Sequence, residues 1–419
     1  MNYHWAMIGF EQIQWASNAV YGVAHRTPML YSAGLSERFG CEIYLKAESL
    51  QHTGSFKVRG AANRLAALTA AERGRGVIAA SAGNHAQGVA VAARRLGVKA
   101  TVVMPERAAL AKVQAARRYG AQVILHGEDF DDAIRFATAR ALELNMVFIP
   151  AFDDERVIAG QGTLGIEIVE DCPEVESVIV PVGGGGLIAG VATAVKAMRP
   201  QASVIGVQAA AAPATSLSFL AQKKCYQDAA PTIADGVAIG SPGDYTLPLL
   251  QRHLDACLTV DEEAIAQAIV LLIENAKLVV EGAGALAIAA LLTGAVRPTG
   301  KTVAVLSGGN IDINMLATIV QRGLLHENRY LNLRMEFEDR PGQLAQLLAI
   351  VAATGANVLD VDHLRQDMHL PLRGVEVHLL LETRDLEHIE DLTRQIVAAG
   401  YVVTESTSTT RAFRPVTWR

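Results

Sequence analysis

Short apolar segments alternate with helical segments along most of this 419-residue chain. Strands are predicted at 77–80, 100–104, 122–126, 147–149 and 177–182, and helices at 86–96, 108–119, 130–144 and 160–171. Uninterrupted apolar strands are typical of parallel sheets, because helices cover both faces of such a sheet. The order therefore predicts an α/β fold with a mostly parallel sheet.

The alternation continues to about residue 325, with further helices predicted at 187–198, 264–276 and 284–292 and strands at 204–208 and 302–306. That length suits two α/β lobes around one cleft, which we assign to a first domain at 1–325. From residue 326 the pattern changes to the order βαββαβ. This order predicts a small ferredoxin-like domain at 326–419.

Composition limits the possible partners and compartments. Hydrophobic residues make up 51% and charged residues 19% of the chain, which supports a large buried core. The formal net charge is −6 without a long basic run, so we expect no nucleic-acid and no membrane partner. The four cysteines are scattered without metal-ligand spacing, which favours free thiols in a reducing compartment.

Two segments bear on targeting. Residues 1–15 lack the basic start and apolar stretch of a signal peptide. The longest uncharged run, 177–195, contains a proline and four consecutive glycines, so it makes a poor membrane span. We therefore expect a cytoplasmic protein.

A lysine, Lys57, stands at the start of a predicted helix within the sequence Ser-Phe-Lys-Val-Arg-Gly. The positive end of the helix dipole disfavours a cation there. The same field favours the neutral amine that a Schiff-base lysine needs. A solvated surface lysine is the alternative reading, and three further segments weigh against it.

Four glycines at 183–186 follow an apolar strand and precede a helix. Successive N–H groups without side chains can converge on an anion, and the helix dipole adds to the attraction. We predict a phosphate site, because a tight turn alone does not need four residues that each cost conformational entropy. The run lacks the Lys-Ser/Thr of a P-loop, and no dinucleotide-binding pattern is clear.

Two other turns lie where predicted strands end. The sequence Ser-Gly-Gly-Asn at 307–310 places a hydroxyl that can bond one ring atom of a ligand. The sequence Ser-Ala-Gly-Asn-His at 81–85 places N–H groups that suit a carboxylate and an amide that can bond a phenolic oxygen. We expect His85 to be structural rather than a base. Together with the lysine and the phosphate site, these turns are what a pyridoxal-phosphate site requires.

These four segments resemble the motifs of threonine dehydratases (threonine ammonia-lyases), pyridoxal-phosphate enzymes of the tryptophan-synthase-β type. The resemblance covers residues from about 25 to 325 and implies the two-lobed fold type II. The sequences Asp-Arg-Pro-Gly at 339–342 and Leu-Glu-Thr-Arg at 381–384 resemble the single ACT regulatory domain of one group of these enzymes. The implied activity is β-elimination of L-threonine to 2-oxobutanoate and ammonia, with L-serine to pyruvate as a second reaction.

The resemblance also implies residue roles toward pyridoxal 5'-phosphate. Lys57 would carry the cofactor as a Schiff base and then act as the base at the substrate Cα, with Phe56 packed beside the ring. Asn84 would contact the ring hydroxyl, and Ser307 would meet the pyridine nitrogen. The phosphate would be held by Gly183, Gly184, Gly185, Gly186 and Leu187.

The substrate carboxylate would be bound by Ser81, Ala82, Gly83, Asn84 and His85. Three more residues match family positions that line the cofactor pocket: Gly236, Glu281 and Gly282.

Serine racemases are a related alternative. They have a second serine immediately before the Gly-Asn-His sequence, where this chain has Ala82. Their divalent-metal site would match Gln208 and Ala214, which are poor ligands for a hard cation, so no metal is expected. Further alternatives are a serine or hydroxyaspartate ammonia-lyase and a non-enzymatic sensor of pyridoxal phosphate or amino acids.

The ACT-like tail implies an amino-acid effector, isoleucine or valine if the enzyme serves isoleucine synthesis. Gly342 and Asn357 are the contact positions that this implies. A tail that serves only assembly is the alternative reading. A homo-oligomer, either a dimer or a tetramer, is expected.

Overall fold

The computed structural model describes residues 7–365 and 373–407. Contacts between Cα atoms divide the chain after Ile311 into two compact units. The helix Ile313–His326 belongs to the second unit, whereas the sequence boundary at 325 assigns nearly all of it to the first domain.

The first unit is built from alternating helices and strands. Its helices are α1 (Phe10–Tyr21), α2 (Ala33–Phe39), α3 (Lys57–Ala66), α4 (Ala70–Arg75), α5 (Asn84–Leu96), α6 (Leu110–Arg118), α7 (Phe130–Glu143), α8 (Glu155–Asp171), α9 (Gly186–Met198), α10 (Ala214–Leu220), α11 (Thr246–His253), α12 (Glu262–Ala276) and α13 (Gly282–Leu292). Its strands are β1 (Met29–Tyr31), β2 (Ile43–Ala47), β3 (Val77–Ala80), β4 (Ala100–Met104), β5 (Gln122–Leu125), β6 (Val147–Phe148), β7 (Ser177–Pro181), β8 (Ser203–Ala209), β9 (Ala256–Val260) and β10 (Thr302–Leu306).

Two sheets organise this unit. One has six strands in the order β1-β2-β10-β7-β8-β9, in which β1 pairs antiparallel with β2 and the other pairs are parallel. The other has four parallel strands in the order β5-β4-β3-β6. The predicted α/β fold with mostly parallel strands is confirmed. Ligands of such sheets bind beyond the carboxyl ends of the strands, where the loops after β3, β7 and β10 lie.

Some elements and boundaries differ from the prediction. The short helices α2, α4, α10 and α11 were not predicted, because one or two helical turns carry too few apolar positions to show a period. The strand β9 was not predicted either. Helix α8 begins at Glu155 rather than at residue 160, since the Asp154 carboxylate accepts hydrogen bonds from the N–H groups of Arg156 and Val157. Helices α5 and α9 also begin earlier, at Asn84 and Gly186.

Four buried charged side chains fix the helix that begins at Lys57. Lys46, Glu48, Arg59 and Glu167 have no solvent-exposed side-chain surface. Arg59 Nη1 donates to Glu167 at 2.6 Å and its Nη2 donates to Glu48 at 2.8 Å. Lys46 Nζ lies 2.8 Å from the Glu167 carboxylate. These ion pairs join α3 to α8 and to the end of β2.

The second unit has the predicted order βαββαβ after a helix, α14 (Ile313–His326), that was not predicted. Its further elements are β11 (Tyr330–Glu338), α15 (Gln343–Thr354), β12 (Asn357–Leu364), β13 (Gly374–Glu382), α16 (Leu386–Ala398) and β14 (Val402–Thr407). The sheet is antiparallel in the order β12-β13-β11-β14. Alternate residues such as Leu333 and Met335 on β11 face a core that also contains Leu347 of α15 and Leu392 of α16.

Candidate active site

One cavity of about 310 Å³ collects the residues that the sequence singled out. Its wall is formed by the start of α3 and by the segments that follow β3, β7 and β10. The wall includes every predicted site residue: Phe56, Lys57, Ser81, Ala82, Gly83, Asn84, His85, Gly183, Gly184, Gly185, Gly186, Leu187 and Ser307. Gly236 and Glu281 also line the cavity, whereas Gly282 begins α13 and packs against the carbonyl of Ile233.

Lys57 is the first residue of α3. Its Nζ donates to the Ala151 carbonyl at 3.1 Å and lies 5.2 Å from the centre of the Phe56 ring. Lys57 is half-buried and lines the cavity. Burial lowers its pKa to about 8, against an opposing effect of the Glu281 carboxylate. The low pKa that the sequence attributed to the helix dipole therefore has burial as its main cause.

The backbone around Lys57 is held by the turn after β10. The N–H of Phe56 donates to the Ser307 carbonyl at 3.1 Å, and Ser55 forms an antiparallel bridge with Gly308. The Ser307 hydroxyl is buried and donates to the Ala283 carbonyl at 3.4 Å. That bond is long, so the hydroxyl can turn to a closer partner at little cost.

His85 is buried on α5, and its Nε2 lies 2.9 Å from the Ile149 carbonyl. A carbonyl can only accept, so Nε2 carries the proton and Nδ1 does not. Burial, followed by the charge of Lys57, lowers the His85 pKa to about 4. The neutral, bonded ring agrees with the expectation that His85 is structural rather than a base.

The glycine loop begins α9, and its N-cap, Gly185, has a φ of +95° and no side-chain cap. Packing supplies a second reason for the glycines, because a Cβ on Gly184 would come within 2.3 Å of the Phe152 ring. The hydroxyls of Thr215 and Thr246 fix the loop by donating to the carbonyls of Gly183 and Gly184 at 2.7 Å each. An uncapped helix start keeps its first N–H groups available to an anion.

Three side chains form a hydrogen-bonded relay across the cavity. Asn310 Nδ2 donates to Asn84 Oδ1 at 2.7 Å, and Asn84 Nδ2 donates to Glu281 Oε1 at 2.6 Å. Sequence reasoning missed the contact between Asn310 and Asn84, although both residues lie in motifs that it singled out. Their separation by 226 positions gave no signal that they meet.

Glu281 is a carboxylate that lines the cavity. Burial, with the charge of Asp235, raises its pKa to about 7, while the Asn84 hydrogen bond and the charges of Lys112 and Lys57 oppose the rise. Lys112 and Asp235 themselves form an ion pair of 2.7 Å in the cavity wall. A carboxyl group that titrates near neutrality beside an amine of lowered pKa is typical of a site for proton transfer.

The structure also shows the surroundings of the three residues on which the racemase alternative depends. Ala82 lines the cavity without a hydroxyl. Gln208 is buried and accepts a hydrogen bond from the Ser216 N–H at 2.9 Å, and Ala214 begins α10. Within residues 7–365 and 373–407, no three His, Cys, Asp or Glu side chains are grouped to hold a metal ion. In those same ranges no helix is long and apolar enough to cross a bilayer.

Comparison with known proteins places the chain in a family. A family model described as pyridoxal-phosphate dependent enzyme matches residues 20–308. The chain belongs to the pyridoxal-phosphate-dependent enzymes.

Members of this family with curated names or solved structures are similar to most of the chain. An L-threonine ammonia-lyase of Thermotoga maritima is 49% identical over 398 residues, which are 95% of this chain and 99% of the relative. The crystal structure of a threonine deaminase from T.th. is 44% identical, with a TM-score of 0.69, over 73% of this chain and 99% of its own. The structure of maize serine racemase is 32% identical, with a TM-score of 0.72, over 77% and 99% of the two chains.

The residues of the cavity fit pyridoxal phosphate. The cofactor needs a primary amine, an anion site for its phosphate and polar contacts for its ring. Lys57 would supply the amine, the uncapped start of α9 would supply the anion site, and Asn84 and Ser307 could make the polar ring contacts. The cofactor of this family therefore has a matching group at each of its polar ends.

Proposed function

We propose that this chain is an L-threonine ammonia-lyase, which converts L-threonine to 2-oxobutanoate and ammonia and L-serine to pyruvate and ammonia. The observation that carries the proposal is that the Lys57 side chain lines one cavity together with the other predicted motifs. Burial lowers the pKa of its amine to about 8, which suits the role. The 49% identity to an L-threonine ammonia-lyase supports the choice of substrate.

Bound pyridoxal phosphate supplies an electron sink that acidifies the substrate Cα–H. The Lys57 amine, which burial keeps partly neutral near pH 7, takes that proton. The turn at 81–85 would hold the substrate carboxylate, and the N–H groups of 183–187 would hold the cofactor phosphate. The β-hydroxyl would take up a proton and leave as water, and hydrolysis of the resulting enamine would consume one water and give the 2-oxo acid and ammonia.

The direct test is release of 2-oxobutanoate from L-threonine compared with pyruvate from L-serine. Borohydride reduction followed by peptide mass analysis should locate the cofactor on Lys57, and Lys57→Ala should lose both the label and the activity. A chain that binds the cofactor but releases no 2-oxo acid from either substrate would be the sensor, and the proposal would be wrong.

Ser307 presents a hydroxyl, not a carboxylate, to the ring nitrogen in this proposal. A hydroxyl does not hold that nitrogen protonated, which weakens carbanion stabilisation and favours prompt elimination over transamination. Ser307→Asp should therefore raise the ratio of transamination to elimination. An unchanged ratio would count against this role for Ser307.

The racemase alternative is less well supported, since Ala82 offers no second base. Incubation of the enzyme with L-serine, followed by chiral chromatography, should give pyruvate without D-serine. Accumulation of D-serine before pyruvate would favour the racemase. A parallel assay with 3-hydroxyaspartate tests the remaining ammonia-lyase alternative.

We also propose that the catalytic domain is 1–325, that 326–419 is an ACT domain and that isoleucine or valine binds it. Gly342, the N-cap of α15 with a φ of +92°, and Asn357, the first residue of β12, are the proposed contacts. The enzyme would be a cytoplasmic dimer or tetramer. Activity with and without each amino acid should change in the full chain and not in Asn357→Ala. Light scattering would give the oligomeric state.

A further inference from the structure

The orientation of the Asn84 amide is fixed by a residue from another part of the chain. Asn310 Nδ2 donates to two oxygens, the Thr53 carbonyl at 2.8 Å and Asn84 Oδ1 at 2.7 Å. The Thr53 carbonyl can only accept, so the Asn310 amide must keep its NH₂ on this side. The Asn84 oxygen must then face Asn310, and its NH₂ faces Glu281 at 2.6 Å.

The backbone leaves room for this arrangement. Gly54, next to Thr53, has a φ of +69°, and a Cβ there would come within 2.4 Å of Asn310 Oδ1. The N–H of Gly309 donates to the Gly54 carbonyl at 2.8 Å, which keeps the two turns together. Any side chain at position 54 would clash with the Asn310 amide. The glycine there therefore provides the space that this amide occupies.

The relay also joins separate elements of the first unit. Asn84 begins α5 after β3 of the four-stranded sheet, whereas Asn310 follows β10 of the six-stranded sheet. Both residues and Glu281 line the cavity with Lys57. A cofactor ring held by Lys57 and Ser307 would therefore meet a polar group whose direction depends on Asn310.

We propose that Asn310 is a positioning residue that holds Asn84 as a hydrogen-bond donor toward Glu281 and the cofactor ring. The inference rests on the proposed function, in which Asn84 contacts the ring hydroxyl. The new element is that Asn84 can contact the ring oxygen only as a hydrogen-bond donor, since its own Oδ1 already accepts from Asn310. A donor stabilises the ionised form of the ring oxygen over the neutral form.

Two substitutions separate the orienting effect from a charge effect. Asn310→Leu keeps a similar volume but removes both donated hydrogen bonds. Asn310→Asp accepts instead of donating, so the Asn84 NH₂ turns toward the new carboxylate and its oxygen turns toward Glu281. Asn63→Asp is the matched control, because Asn63 Nδ2 also donates to a backbone carbonyl, that of Arg156 at 2.7 Å, but it does so on the protein surface.

The readout is the ratio of the visible to the near-ultraviolet absorption band of bound pyridoxal phosphate, measured across the neutral and alkaline pH range. This ratio reports ionisation within the ring system and needs no turnover. Loss of one hydrogen bond to an ionised oxygen should shift the midpoint of this titration by about one pH unit, a tenfold change. Asn310→Asp should raise the midpoint by at least this amount, because its negative charge adds to the loss of the hydrogen bond. Asn310→Leu should raise it by less, while Asn63→Asp should leave it unchanged.

The groups that face Glu281 set the background for this titration. They are Asp235, which raises its pKa, and Lys112 and Lys57, which lower it. The titration of each Asn310 variant is therefore repeated in an Asn84→Ala background, where these charges remain and the relay is absent. The Asn310→Leu effect should vanish there, and Asn310→Asp should retain only the part that comes from its charge.

Equal shifts with and without Asn84 would overturn the proposal, because Asn310 would then act directly or through the fold. If Asn310→Asp does not fold, by circular dichroism, the Asn310→Leu cycle decides alone. If the Asn310 variants show the expected spectral shifts while the wild-type protein releases no 2-oxobutanoate, that result would refute the proposed activity but not the role of Asn310. Absence of any bound cofactor band in the wild type would refute both.

Discussion

Replacement of Glu167 by glutamine should destabilise the first unit strongly. The Glu167 carboxylate accepts hydrogen bonds from Arg59 at 2.6 and 3.0 Å and from the Tyr21 hydroxyl at 2.8 Å, and it lies 2.8 Å from Lys46 Nζ. Glutamine keeps the shape but removes the charge. Arg59 then keeps its ion pair with Glu48, and Lys46 keeps an ion pair only with the partly exposed Asp171 at 3.3 Å. Removing one partner of a buried ion pair costs about 3–5 kcal/mol of unfolding free energy.

The same helix provides a control. Glu170 lies one turn after Glu167 on α8 and pairs with Arg26 at 2.6 Å, but its side chain is 48% exposed. Solvent screens such a pair, so Glu170→Gln should change the unfolding free energy by only about 0–1 kcal/mol. The two variants therefore differ in burial and not in chemistry.

Hydrogen exchange of peptides from α3 and α8 across a denaturant series measures the stability of the first unit without interference from the second. The difference between Glu167→Gln and wild type should also shrink in acid. Burial raises the pKa of Glu167, but Arg59 and Lys46 outweigh this and leave it lowered. The stabilisation by the Glu167 ion pairs is thus fully present above the Glu167 pKa in the unfolded chain, about 4.3. It is lost as pH falls through the lower Glu167 pKa in the folded chain. Equal losses for Glu167→Gln and Glu170→Gln would refute the reasoning.

Three further outcomes follow from the site. Competitive labelling of the apoprotein should show Lys57 half-neutral at about pH 8, and an ordinary lysine midpoint near 10.5 would contradict the burial argument. Nitrogen NMR should show His85 neutral and protonated at Nε2 down to about pH 4, and a midpoint near 6.5 would contradict its bond to the Ile149 carbonyl. Gly88→Ala should lower kcat roughly a hundredfold, because its Cβ would come within 2.9 Å of the Lys57 backbone and displace the amine. Gly74→Ala, with open space at the Cβ position, should be neutral, and equal kcat values for both variants would exclude displacement.

The glycine run at 183–186 shows which structural properties a local sequence pattern can predict. Its place between β7 and α9 was predictable, because an apolar strand, a turn and a helix are local in sequence. The contact of Gly184 with Phe152 was not predictable, since nothing in either local sequence pairs the two residues. The same holds for the buried ion pairs, in which Arg59 meets Glu167 across 108 positions.

Sequence alone determined most of the alternation of strands and helices, the order βαββαβ of the second unit, and which residues had the chemistry for a cofactor site. These properties depend on local period, turn composition and side-chain type. The tertiary structure decided which of those side chains share one cavity, how far burial lowers the pKa of Lys57, and which way the Asn84 amide points. Those properties depend on distances between residues far apart in the chain, because solvation and hydrogen bonding act through space and not along the sequence.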